Sequence, residues 1–225
     1  MKIKETLEAR ISRERTKELL IELVKVPSPQ TDKFEAEPQL AEFIRKAVEP
    51  RLREMGIVDI HYDGMNNLIA THGADQSGKS LMFISNAMNQ PQSTMKNAYL
   101  GDVVDGATLE LPGEVVLGKG ASEQKANMAA MLHAMETVIA SDLPVNGKLV
   151  FLCCVSGETG RHDAIKSVVE GEKIRADMAI LGGTSLKLTL GNRGRIDSFI
   201  KVRGNPGHSS APHRSCNAIT GALEI

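Results

Sequence analysis

No charge of either sign dominates this chain. Its 225 residues carry 27 Lys and Arg against 28 Asp and Glu, a formal net charge of −1. That balance gives no global field to attract nucleic acid or an anionic membrane, although local patches remain open. Long apolar runs are missing too, none approaching the ~20 residues a membrane span needs. The first residues, MKIKETLEARISRER, are charged and lack the apolar core of a secretion signal, so the expected location is the cytoplasm. Cysteine is scarce, with three residues, Cys153, Cys154 and Cys216. The first two are adjacent in an apparent strand and would face opposite ways, so buried free thiols are expected before disulfides or metal ligands. There is no internal repeat and no low-complexity tract.

What is present is enough apolar material for a core, 41 % of the residues, arranged with two periods. RERTKELLIELVKV, 13 to 26, puts Leu19, Leu20, Leu23 and Val24 on one helical stripe before Pro27 and Pro29 stop it. EAEPQLAEFIRKAVEPRLREMG repeats Leu40, Phe43, Ile44 and Val48 at three and four, with Pro50 set to kink or split the helix and Gly56 to end it. IVDIHYD and NNLIATHG flank an Asp-Gly turn, and a buried strand follows at Leu81 to Ile84. Residues 103 to 117 read as loop with a weak strand. ASEQKANMAAMLHAMETVIAS is a long helix with Ser122 as candidate N-cap. KLVFLCCVS reads as a continuous apolar strand, HDAIKSVVEGEKI as a helix, ADMAILGG as a strand, and LKLTLGNRGRIDSFIKVRG as a hairpin opening a second unit near residue 186. Strands alternating with helices predict an α/β sheet.

The stretch LMFISNAMNQPQ, 81 to 92, is chemically odd. A buried strand empties into a loop bearing amides, Asn86 and Asn89 with Gln90 behind, where enzymes commonly put acids or metal ligands. Further on, GKGASEQK at 118 to 125 opens the long helix, SGETG at 156 to 160 follows the apolar strand, and GNPGHSSAPHRSCNAI at 204 to 219 follows the hairpin.

With LVKVPSPQ, REMG and NNLIA before them, these motifs resemble in order and spacing the cocatalytic zinc aminoacylase and carboxypeptidase family, which includes acetylornithine deacetylase and succinyl-diaminopimelate desuccinylase. The likeness covers nearly the whole chain. It implies a zinc-peptidase-like mixed sheet covered by helices over 1–185, then the start of a ferredoxin-like lid and dimerisation domain over 186–225. Both the lid and the catalytic domain are incomplete by that comparison. It also implies a metal-dependent hydrolase of N-acyl amino acids or small peptides, a homodimer when whole, and zinc or another divalent metal as cofactor.

Residue by residue, the resemblance implies losses. Two zinc ions need anionic oxygen and imidazole ligands and a carboxylate base on the bridging water. In the first motif the histidine and aspartate positions fall on Ala87 and Asn89, or on Asn86 with the register shifted by one. The bridging aspartate corresponds to Glu123, and the paired glutamates to Gly157 and Glu158, which leaves the general-base position without a side chain. A further glutamate corresponds to Gly183. Glu123 and Glu158 are therefore the surviving acids, expected to face one cleft at the carboxyl ends of the strands. His208 matches a histidine that polarises the scissile carbonyl across the dimer; a strand cap with local bonds is the plainer alternative.

Other residues keep two readings each. His162, four after Glu158, is a replacement ligand if the helix has begun by then, and otherwise a solvated histidine. His133 reads as packed among Met128, Met131 and Met135 of its helix. His213 and Arg214 either meet a substrate carboxylate or are exposed loop charges, and Lys125 is either a surface residue or a helix-start feature. The activity reading is thus a divergent hydrolase with weak or no standard dizinc chemistry; the alternative is a non-catalytic paralogue serving as a binding or assembly subunit.

Overall fold

The structure is a computed structural model describing residues 5, 7–73, 78–141, 143–183, 190, 194, 196 and 198–225. The chain divides into two compact units, Met1–Lys187 and Leu188–Ile225.

The first unit opens with helix α1, Arg13–Lys25, where Ser12 Oγ accepts the Arg15 N–H and Leu19, Leu23 and Val24 turn inward. Helix α2, Pro38–Phe43, passes through a π-helical turn, Ile44–Val48, into α3, Glu49–Glu54. Pro50 lies in the first turn of α3 and has no N–H to return to the preceding turn, so the ladder slips there. That is the split its sequence position predicts.

Strands β1, Asp59–Tyr62, and β2, Leu68–Gly73, form the expected hairpin, followed by β3, Ser80–Asn86. Residues 102–117 hold more structure than their composition suggests. β4, Asp102–Asp105, and β5, Glu114–Leu117, pair as a two-stranded antiparallel sheet of their own. Helix α4, Gln124–Ile139, buries Met128, Met131, Leu132 and Met135, and β6, Lys148–Cys154, follows it. Helix α5, Asp163–Lys166, and β7, Met178–Leu181, complete the unit.

The main sheet has the order β1-β2-β6-β3-β7. β2 pairs antiparallel with β6, while β3 pairs parallel with both β6 and β7, so the sheet is mixed. β6 runs through the core, with Phe151, Leu152 and Cys153 fully buried. β7 is different, an edge strand with Met178, Ile180 and Leu181 exposed. Cys153 and Cys154 are buried free thiols, and burial pushes Cys153 up to about 12.

Among the described residues no helix is long and apolar enough to cross a membrane. In the second unit, Asn205 and Cys216 form an isolated bridge, and a short helix α6, Ala218–Ala222, is capped by Asn217. The hairpin expected after residue 186 falls largely outside the described residues, and with it the start of the lid.

Candidate functional site

Parallel strands β3, β6 and β7 end together, and a cavity of 340 Å³ opens at those carboxyl ends, where open α/β sheets place their sites. Asn86 ends β3, and Ser156, Gly157 and Glu158 form the turn after β6. Gln124 enters from the first turn of α4, and Gly182 and Gly183 come from the end of β7. Ile84, Ile165 and Leu181 supply apolar wall. A smaller pocket, 190 Å³, lies at the amino ends of the same strands beside Lys79 and Lys148, without the motif residues.

The turn after β6 is held from two sides. Asn67, fully buried, donates to Asp63 Oδ2 at 2.6 Å and to the Ala164 carbonyl at 3.0 Å, and its Oδ1 accepts the Val155 N–H at 2.8 Å. On the other side Glu35 Oε1 accepts from Ser156 Oγ at 2.8 Å and Thr159 Oγ1 at 2.9 Å. Burial works to raise the Glu35 pKa, but the hydrogen bonds, from Ser156 first, and the Arg161 charge bring it below the ordinary carboxylate value. Nothing in the sequence pairs Glu35 with residues more than a hundred positions away.

Within the cavity, Glu158 Oε1 accepts a hydrogen bond from Gln124 Nε2, and among the described residues no cation pairs with the carboxylate. The place of a side chain at 157 is already taken. A Cβ on Gly157 would lie 2.5 Å from Asn86 Nδ2 and 2.9 Å from Asn86 Cγ. Asn127 crosses to the end of β7, its Nδ2 donating to the carbonyls of Glu123 and Gly183 at 3.0 Å each. A Cβ on Gly182 would meet Asn127 Cβ at 2.4 Å, whereas one on Gly183 would meet nothing within 4 Å.

The residues singled out in the sequence distribute unevenly. Gly157, Glu158, His162 and Gly183 line the cavity. Glu123 does not; Gln124 stands there instead, because Glu123 precedes the helix with a non-helical backbone and the next residue begins the turn that faces the sheet edge. Ala87 and Asn89 are absent from the lining as well. After Asn86 the Ala87 N–H bonds the Cys154 carbonyl and its methyl enters the core, while Asn89 Oδ1 accepts from Ser28 Oγ. Of the two registers open for that loop, the cavity receives the one with Asn86. His162 shares the cavity without sharing a helix with Glu158. It precedes α5 with a left-handed backbone, φ 62°, so the four-residue spacing is a turn and not a helical face.

His208 bonds locally, its Nδ1 2.8 Å from Ser210 Oγ and accepting the Ser210 N–H. His213 and Arg214 are exposed in a short turn. His133 is packed, its Nε2 accepting the Ser12 N–H at 2.9 Å and its Nδ1 3.1 Å from Glu136. Lys125 is neither surface nor site. It is fully buried, with Nζ 2.8 Å from the Val26 carbonyl and 4.8 Å from the Phe43 ring centre, and burial pushes it down to about 7.

These donors do not fit a pair of zinc ions. Among the described residues no three His, Cys, Asp or Glu side chains come together in a group that could hold a metal, so the set Glu123, Glu158 and His162 is not assembled. The cavity is instead a small apolar pocket with one carboxylate, two amides and an imidazole.

The chain is 31 % identical over 178 residues, 75 % of its length, to a succinyl-diaminopimelate desuccinylase of Pseudomonas syringae pv. syringae. It belongs to the M20 zinc aminoacylase and peptidase family. A second desuccinylase, from a Ruegeria species, is 29 % identical over 74 % of the chain. The chain spans about half the length of these curated relatives, 44 % and 43 %. No family model matches it. Among solved structures, human carnosine dipeptidase 1 superposes with a TM-score of 0.62 at 19 % identity, covering 80 % of this chain and 41 % of that one. An M20 metallo-carboxypeptidase from Sulfolobus solfataricus gives 0.59 at 16 % identity over 76 % of this chain and 37 % of its own. These likenesses carry the fold of this M20 chain: a mixed sheet covered by helices.

Proposed function

We propose that this M20 chain binds a small N-acylated amino acid or peptide in the cavity at the strand ends without dizinc hydrolysis. The observation that carries this reading is the Asn86–Gly157 contact. The resemblance puts the general base at 157, and there the chain has no side chain and no room for one while Asn86 stands where it does. Loss of positioned proton transfer alone costs roughly 10² to 10⁴ in rate. Neutral amides at Asn86 and Gln124 add no charge to balance a metal.

The test is turnover of N-acetyl and N-succinyl amino acids with added zinc or cobalt, alongside metal content after dialysis and calorimetric binding of the same compounds. Binding without turnover, and without near-stoichiometric metal, is expected. Gly157→Glu alone is expected to restore nothing, since its side chain meets Asn86 and no charged set stands ready. Robust turnover by the unmodified chain would overturn the reading.

A second reading, a hydrolase holding one divalent metal on Glu158 and His162 with His208 as electrophilic helper, draws on the first two sharing the cavity. Retained metal decides for it.

A further inference from the structure

Helices α1 and α4 meet at a polar junction built from a pair of residues three apart on each side. Ser12 caps α1 and Arg15 lies in its first turn, while His133 and Glu136 stand on α4. The first N–H groups of a helix have no partner within it, and here two of them find partners from side chains. Ser12 Oγ accepts the Arg15 N–H at 3.1 Å. The Ser12 N–H goes across to His133 Nε2, at 2.9 Å. Arg15 Nε and Nη2 hold the Glu136 carboxylate, Nη2 at 2.9 Å. Arg10, before the helix, donates from Nη1 to the Ala140 carbonyl where α4 ends.

A backbone N–H can only donate, so His133 Nε2 carries no proton, and Nδ1–H is the group that faces Glu136 Oε2, 3.1 Å away. The ring is neutral while that arrangement holds. A proton added at Nε2 would set two N–H donors face to face. Because His133 is 7 % exposed, a freed Ser12 N–H reaches water only if its segment moves.

Among the described residues, the charged groups facing this ring come from its own helix and from α1. Glu136 stands on α4, and Arg15 comes from α1 with Glu18 beside it at 3.5 Å. Glu22 acts on Arg15 by charge. β3, which also packs on α4, has no ionisable side chain. Glu136 titrates below the ordinary carboxylate value, held there first by Arg15, and is ionised across the range where an imidazole takes up its proton. An imidazolium at 133 therefore keeps Glu136 and gives up only Ser12.

We propose that His133 is a pH-operated latch: neutral, it holds the start of α1 on α4 through the Ser12 N–H, and protonated, it releases that N–H so that the segment before Arg13 loosens while Arg15 and Glu136 stay paired.

The test is amide hydrogen exchange at Ser12, followed by NMR on the 225-residue chain as protection relative to the intrinsic rate at each pH. The His133 Cε1–H resonance is tracked in the same samples between about pH 8 and about pH 5. Ser12 protection should fall about tenfold along the His133 titration, the effect of one hydrogen bond, while the Leu23 N–H inside α1 keeps its protection. In His133→Gln, whose carboxamide oxygen takes up no proton, Ser12 protection should not vary with pH. Titration of His133 with Ser12 protection unchanged would overturn the latch, as would a His133 that does not titrate in that range. An equal fall in His133→Gln would overturn it too, by showing that the helix end loosens in acid without the imidazole. Should that variant not fold, the two wild-type curves decide by themselves.

Discussion

The loops that follow β3 and β6 leave the sheet side by side, Asn86 opposite Cys154, and they have gone different ways. After β3 the chain turns into the core. Ala87 and Met88 are buried, and Asn89 spends its side chain on Ser28 and the Gln90 carbonyl. After β6 the chain turns outward. Val155 and Ser156 are still buried, but from Gly157 on the side is open, and Gly157, Glu158 and His162 are exposed and line a cavity. A strand's carboxyl end therefore makes no site by itself. The loop beyond it must leave polar groups unspent, and here one loop does so while its neighbour does not.

The largest expected effect lies on the closed side. Lys125 belongs to it, since a Cβ on Gly120 would stand 3.1 Å from Lys125 Cγ and 3.3 Å from Asn89 Cβ. Burial lowers the Lys125 pKa from 10.5 to about 7. Below about pH 7 folded and unfolded chains both hold the proton, and the cost of burying it is fully present. Between about 7 and 10.5 only the unfolded chain holds it, so stability rises with pH. The unfolding free energy of the wild type relative to Lys125→Met should rise by about 4 kcal/mol across that window. Urea unfolding of both proteins at about pH 7 and about pH 10 reads the difference, and a constant offset would mean that the ammonium is not desolvated.

Next in size, Met88→Ala in the closed loop should cost about 3 kcal/mol by leaving a cavity in the core. Gly183→Ala on the open side should stay within about 0.5 kcal/mol, since its Cβ meets nothing. Comparable losses at the two positions, measured by urea midpoints, would erase the contrast between closed and open sides.

Smaller still is the coupling where the two loops touch. Gly157→Ala should cost about 1–3 kcal/mol by overpacking against Asn86, and most of that should return in the Asn86→Ala background. Additive effects in that double-mutant cycle would show that the two loops do not compete for the same space.

Of the expected losses, the smallest is at the tether of the open loop, above only the near-neutral Gly183→Ala. Glu35→Gln should cost about 1 kcal/mol at neutral pH. Because the folded pKa is lowered, the wild-type contribution is present above about 4.5 and lost as pH falls through the folded value. The difference between the two proteins should therefore shrink in acid. Faster amide hydrogen exchange over residues 156–162 in the variant would locate the effect.

Much of the fold was legible because it rests on local signals. The stripe of Leu19, Leu23 and Val24, the proline that splits the second helix, and the apolar run of β6 all stand where their periodicity puts them. The β4–β5 pair was less legible, since Val103, Val104, Val115 and Val116 are short islands among polar residues whose pairing depends on each other. At the site, Gly157, Glu158 and Gly183, named through the resemblance, and His162, named for its spacing from Glu158, all line the cavity. Gln124 was not named, for a neighbouring acid drew attention one residue early. Asn127 and Glu35 carry no motif, and they matter only through partners distant in sequence.

By itself, then, the sequence determined the order of helices and strands, the family and the amides that stand where charged ligands would be expected, because composition and spacing are properties of the chain. The tertiary structure decided which amide faces the cavity, that Gln124 and not Glu123 enters it, that Lys125 is buried without a counter-charge, and that Asn86 fills the space of a side chain at 157. Those outcomes depend on where β3, β6 and the start of α4 come together, and a one-residue difference at a strand or helix end turns a side chain to another face.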